Sequence, residues 1–182
     1  QPNLPAMFID QAARLGARPF LRARRGGVWQ GPSYTQAAAQ MADLARGLLA
    51  LGIGPGDRVA IVAQNSPEWA VADLAIMAIG AISVPGYTTN TADDHLYMLD
   101  HSGARAVIVG DGALAHHVSP AARSAEGCET VIMLADAPAD HLAAGLVVHS
   151  LAEVQALGAA RQEDITAMAR AIARDETACF IY

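Results

Sequence analysis

At 182 residues, with 53% hydrophobic and 16% charged side chains, the chain can bury a core of ordinary domain size and is not a disordered polymer. Its net charge of −6 excludes a sequence-independent grip on phosphate backbones, so no nucleic-acid partner is expected. All 12 basic residues are arginine, which rules out a Schiff-base lysine or a P-loop lysine within these residues.

The opening Gln1-Pro2-Asn3 has neither a charged stretch nor an apolar one after it, so no signal peptide is predicted. Pro5 to Leu15 reads as a helix, with Phe8, Ala12 and Leu15 on one side and Gly16 as its stop. Phe20 to Arg24 and Val28 to Tyr34 flank Arg25-Gly26-Gly27, the pattern of a hairpin. Thr35 is the predicted cap of a long helix that carries Ala38, Met41, Ala42, Ala45, Leu48 and Leu49 at helical spacing and ends at Gly52.

Beyond that point the pattern becomes regular. Arg58 to Ala63 is a short apolar strand, and Ser66-Pro67-Glu68 is an N-cap, a first-turn proline and an early acid. The helix that follows is apolar on nearly all sides, which predicts burial. The apolar stretch within Leu74 to Val84 is broken by Gly80 and Ser83 and is too short to cross a bilayer, so no transmembrane segment is expected. Ala81 to Pro85 is the next strand. Thr91 and Asp94 resemble a capping box for a helix over Ala92 to Ser102, stopped by Gly103. Arg105 to Val109 is a strand, Ala113 to Ala125 a weaker helix, and Thr130 to Leu134 and Leu146 to His149 are strands. Asp136 to Gly145 reads as an exposed loop. Ser150 caps Leu151 to Leu157, an Ala-rich helix covers Ile165 to Arg174, and the apolar run Ala178 to Tyr182 reads as a buried core strand.

Alternating strands and helices with short connections predict an α/β fold: a mostly parallel sheet flanked by helices, preceded by an N-terminal helix and hairpin. Residues 1–52 form the leading part and residues 53–182 the βα-repeating part.

Few residues carry chemistry by themselves. Gly52, Gly54 and Gly56 follow a helix and precede a strand, the reverse of a phosphate-cradling turn. Gly110, Gly112 and Ala115 have the right order for a dinucleotide fingerprint, with Asp136 after the next strand as the ribose acid. Pro120 in the following helix argues for a plain turn instead. The 6 histidines show no i,i+4 pair, so solvated or capping roles are expected and no metal site is predicted. Cys128 and Cys179 lack CxxC spacing and predict two buried thiols in a reducing cytoplasm. No serine sits in a G-x-S-x-G elbow.

Taken in order, Gly56-Asp57-Arg58-Val59, Asn65-Ser66-Pro67-Glu68-Trp69, Val84-Pro85 and Ser102-Gly103-Ala104-Arg105 resemble the adenylate-forming (AMP-binding) enzymes, and among them the N-terminal part of long-chain fatty acyl-CoA synthetases. The likeness runs from about Phe8 to Tyr182. It implies an incomplete N-terminal portion of a larger enzyme, in which Phe180, Ile181 and Tyr182 lead into a Ser/Thr/Gly-rich phosphate loop. The implied reaction uses ATP with Mg to turn a carboxylic acid into acyl-AMP and then transfers the acyl group to coenzyme A. The chain by itself holds no catalytic residue of that reaction and is expected to bind none of its cofactors. The resemblance also allows a homodimer. Gly86 stands where relatives often carry a larger residue, and Thr88-Thr89-Asn90-Thr91 replaces a more usual Pro-containing loop. Tyr87 and Thr88, after a strand's carboxyl end, are the candidates for facing the substrate cleft. Two other readings stay open here: a self-contained dinucleotide module using Gly110, Gly112 and Asp136, and a ligand-free structural domain.

Overall fold

A computed structural model describes residues 2–135 and 145–182. Asp136 and most of the expected loop after it lie outside the described residues. Helix α1 (Leu4–Leu15) begins where the Asn3 side chain accepts from the Ala6 amide at 2.9 Å. The same Asn3 amide donates to the carbonyls of Ala169 and Ile172 at 2.8 and 3.0 Å, closing the end of α7 (Ile165–Ala171). Strands β1 (Ala23–Arg25) and β2 (Val28–Gln30) pair antiparallel as expected. Gly26 and Gly27 both take positive φ there, 55° and 83°, as a two-residue hairpin turn demands.

Helix α2 (Tyr34–Ala50) is capped by Ser33, not by Thr35. Ser33 Oγ accepts from the Gln36 amide at 3.2 Å while Gln36 Oε1 accepts from the Ser33 amide at 2.9 Å. That reciprocal pair satisfies two donors at once, and Thr35 is left inside the first turn.

Among the described residues five strands form one parallel sheet in the order β4-β3-β5-β6-β7. They are β3 (Arg58–Val62), β4 (Ile82–Pro85), β5 (Ala104–Val109), β6 (Thr130–Met133) and β7 (Val147–Ser150). Helix α3 (Pro67–Ala78) links β3 to β4, α4 (Ala92–Ser102) links β4 to β5, α5 (Gly112–Ser124) links β5 to β6, and α6 (Leu151–Ala159) follows β7. Alternation along the strands divides the core. Val59, Ile61, Ala106 and Ile108 face α1, α2, α3, α6 and α7, whereas Ala60, Val62, Val107 and Val109 face α4 and α5. Strands buried on both faces explain the continuous apolar runs in the sequence. Helix α3 is buried from Val71 to Ala78 apart from Asp73, since the sheet lies on one side and other helices on the other. Pro120 is accommodated within α5, which runs on to Ser124.

The last residues depart from expectation. Ala178 to Tyr182 is not a buried core strand: it makes a single parallel bridge, Cys179 opposite Ser83. The Ser83 amide donates to Ala178 O at 3.1 Å and the Phe180 amide donates to Ser83 O at 2.9 Å. The segment therefore extends the sheet at the outer edge of β4. With a neighbour on one side only, Ile181 is left 81% exposed. Cys179 is exposed for the same reason, so only Cys128 is the buried thiol that the sequence predicted.

Candidate ligand edge of the sheet

The strand order singles out a candidate ligand edge. The chain passes from β3 to β4 on one side, then returns across β3 to β5, so the carboxyl ends of β3 and β5 diverge at a switch point. A groove of about 490 Å³ opens there, lined by Ala63, Gln64, Ser66, Gly110, Asp111 and Arg25 among others. Two helices begin beside it, and each is capped by its own side chain. Ser66 Oγ accepts from the Trp69 amide at 3.1 Å, and Asp111 Oδ1 accepts from the Leu114 amide at 2.9 Å. Arg25, reaching over from the hairpin, pairs with Glu68 at 2.7 Å.

This geometry bears on the dinucleotide fingerprint. In such a site a pyrophosphate occupies the helix N-terminus. Here the Asp111 carboxylate occupies it, and a second anion would meet that charge. Gly110 serves packing, because a Cβ there would lie 3.0 Å from the Ala63 Cβ and 3.2 Å from the Leu114 Cδ1. Gly112 is the first residue of α5, and Asp136 lies outside the described residues.

The loop after β4 is more open. The Gly86 amide donates to Ile61 O at 2.9 Å, holding the loop's start against β3. A side chain at Gly86 would meet Met98 Sδ at 2.9 Å and Val62 Cγ2 at 3.1 Å. The space that a larger residue would need is therefore filled from α4, which accounts for the glycine. Tyr87 is 67% exposed at this edge, and Thr88 is half-buried. Gln64 Nε2 donates to Thr88 Oγ1 at 3.2 Å, joining the loops after β3 and β4. The loop ends in the expected capping box, with the Thr91 amide donating to Asp94 Oδ2 at 2.9 Å and the Asp94 amide to Thr91 Oγ1 at 3.3 Å. Those bonds, backbone first, hold the Asp94 carboxyl below its usual range.

Three features escaped the sequence reading. His95, expected to be solvated, is fully buried on α4 with neither ring nitrogen partnered. Burial pushes its imidazole below the usual range and His117 of α5 adds to this, while Asp94 opposes it. The spacing of His95, Met98, Leu99 and Ser102 on one helical face was the available signal. Asp73 of α3 is the second: burial pushes its carboxyl up, and the Ser83 hydroxyl pulls the other way. The third is a ring cluster on the outer side of α4, where Tyr182 OH lies 2.9 Å from His101 Nδ1.

Among the described residues no group of three or more His, Cys, Asp or Glu is placed to hold a metal ion. At this edge Asp94 and Asp111 are engaged as helix caps and Glu68 is paired with Arg25. No described helix is long and apolar enough to cross a membrane.

An open parallel sheet with its loops gathered at the carboxyl edge is the framework of a small-molecule-binding α/β enzyme. A family profile described as AMP-binding enzyme matches residues 8–182, and the chain belongs to that family. The long-chain-fatty-acid–CoA ligase FadD15 of Mycobacterium tuberculosis is 35% identical over 109 residues, covering 60% of this chain and 18% of that enzyme. Coronafacic acid ligase from Pectobacterium brasiliense shares the fold with a TM-score of 0.78 at 21% identity, over 98% of this chain and 33% of that one. The A domain of a carboxylic acid reductase from Segniliparus rugosus, solved with AMP and a co-purified carboxylic acid, matches with a TM-score of 0.74 at 15% identity, over 87% of this chain and 31% of that one. This chain therefore corresponds to the amino-terminal part of a larger fold.

Proposed function

We propose that these residues are the N-terminal part of an ATP-dependent acid–thiol ligase that activates a fatty or other carboxylic acid and passes it to coenzyme A. The carboxylate oxygen attacks the α-phosphorus of ATP, pyrophosphate leaves, and acyl-AMP forms. The thiol of coenzyme A then attacks the acyl carbon and AMP leaves. Activation of carboxylic acids is the chemistry of the family; the preference for a fatty acid follows the names of the curated relatives, FadD15 first among them.

The observation that carries this reading is the parallel docking of residues 178–180 on β4 in a chain of this family. A segment running that way heads towards the carboxyl ends of the strands, where this class of sheet binds ligands. Phe180, Ile181 and Tyr182 then lead into the phosphate-binding loop, and Tyr87 and Thr88 border the acyl or pantetheine path. Mg and the triphosphate are held by later parts of the enzyme. The 182 residues alone are inactive, having neither a glycine-rich phosphate loop nor any lysine.

The test is acyl-CoA formation by the full-length enzyme with acids of increasing chain length. Thioester that depends on ATP, coenzyme A and acid together is the expected result, with no pyrophosphate released by the 182-residue chain. No thioester with any acid would overturn the reading, and pyrophosphate release by the short chain would overturn the assignment of the catalytic parts elsewhere.

A further inference from the structure

Among the described residues, the segment at the outer edge of β4 is held to the sheet through Ser83, by the two backbone hydrogen bonds to Ala178 and Phe180. Beyond Phe180 its fastening is a side chain. Tyr182 OH lies 2.9 Å from His101 Nδ1. The Tyr182 ring stands edge-on to His101, at 5.6 Å and 88°, and edge-on to Tyr97, at 6.2 Å and 85°. Tyr97 and His101 are themselves stacked at 5.3 Å and 19°. They are four residues apart on α4, so one helical turn presents both rings outward on the same face. Edge-to-face contact is the arrangement that ring quadrupoles favour.

We propose that Tyr97 and His101 form a seat for Tyr182, and that this seat sets the direction in which the chain leaves the sheet towards the nucleotide. Tyr182 is then a positioning residue for ATP and does not touch it. The proposal rests on the adenylate-forming reading above. Strand alternation supports it: with Cys179 opposite Ser83, Phe180 and Tyr182 share the face that α4 covers, and Ile181 takes the other. Exposures of 37% and 38% for Phe180 and Tyr182, against 81% for Ile181, agree with that division. Burial and the neighbouring Tyr97 push the Tyr182 phenol above its usual range, and the Ser102 hydroxyl acts in the opposite sense. Either His101 tautomer can make this bond: the Tyr182 hydroxyl donates to a bare Nδ1 or accepts from an Nδ1–H. Helix α4 also starts at the end of the Gly86–Asn90 loop, so one rigid element carries both the seat and the root of the proposed acyl-side loop.

The test uses the full-length enzyme and steady-state kinetics with each substrate varied in turn. Tyr182→Phe and His101→Ala are expected to raise KM for ATP roughly three- to tenfold, the range for losing one hydrogen bond. KM for the acid and for coenzyme A should stay within about twofold. The double variant should be no worse than either single one, because both break the same contact. His101→Asn, which keeps a hydrogen-bonding group near the Nδ1 position, should recover most of the loss. An unmoved KM for ATP in both single variants would overturn the proposal. Additive effects in the double variant, or equal rises for all substrates with a lower Tm, would do the same. An active wild type with unmoved variants removes only the seat. A wild type that consumes no ATP with any acid removes the adenylation reading and the seat with it.

Discussion

Gln64, which follows β3, donates its side-chain amide to the Thr88 hydroxyl across 3.2 Å, so the loops after two neighbouring strands are fastened to each other. This contact holds Thr88 at the carboxyl edge of the sheet and leaves Tyr87 largely in the open. In the full-length enzyme, Tyr87→Ala and Thr88→Ala are expected to raise KM for the acid or coenzyme A several-fold and to leave KM for ATP nearly unchanged. Gln64→Ala should produce a smaller change in the same direction as Thr88→Ala. Unchanged kinetics for all three substrates in well-folded variants would contradict the assignment. A loss explained wholly by a lower Tm would instead make this loop a packing element.

Gly86 tests the packing under that loop. A methyl group there meets Met98 Sδ at 2.9 Å and Val62 Cγ2 at 3.1 Å. Thioethers move more readily than backbone, so Gly86→Ala is expected to cost about 1–2 kcal/mol, the lower part of the range for overpacking. Shortening the neighbour with Met98→Val in the same chain should recover part of that loss in urea unfolding. A neutral Gly86→Ala would mean that the crowding is relieved by small shifts.

His95 makes stability depend on pH in a direction that can be worked out. Burial lowers its pKa in the folded chain, so the unfolded chain takes up a proton first as pH falls. Its contribution is fully present above the unfolded imidazole value of about 6.5 and is lost as pH drops from there towards the folded value. Asp94 on its own helix and His117 on α5 are the titratable neighbours that act on it. Melting temperatures measured across this window should fall more steeply for the wild type than for His95→Leu. Parallel slopes would show that another group carries the acid sensitivity.

The thiols should separate cleanly. Burial, with Asp100 nearby, pushes Cys128 up to about 12, whereas Cys179 is exposed at the sheet edge. A thiol reagent is expected to label Cys179 in the native 182-residue chain and to reach Cys128 only on unfolding. Cys179→Ser should abolish the fast phase. Rapid labelling that survives this change would place Cys128 nearer the surface than α5 and β6 allow.

How much was legible in the sequence varied with the range of the interaction. The caps at Ser66, Thr91 and Ser150 could be read because donor and acceptor are three residues apart. Strands such as Arg58–Val62 could be read because burial on both faces leaves an unbroken apolar run. The α2 cap was misplaced because Ser33 and Thr35 are both competent, and only the return bond from Gln36 chooses between them. Ala178 to Tyr182 was misjudged because apolar composition reports what a segment prefers, not whether anything lies on its far side. His95 was misjudged on residue type, although its helical spacing pointed inward. The position of the loop with Tyr87 and Thr88 after the carboxyl end of β4 was legible from the strand pattern. Its tie to Gln64 and the meeting of Tyr182 with Tyr97 and His101 span 24 residues and 81 or more, and no local pattern encodes them.

Formation of an acyl adenylate by the full-length enzyme can be read from oxygen-isotope transfer. The full-length enzyme is given ATP, coenzyme A and a carboxylic acid labelled with ¹⁸O in its carboxylate. Attack of a carboxylate oxygen on the α-phosphorus, followed by thiol displacement at the acyl carbon, breaks the original acyl C–O bond. One labelled oxygen is therefore expected in the phosphate of AMP, alongside unlabelled pyrophosphate. Label in inorganic phosphate with ADP as co-product, or AMP free of label, would contradict it.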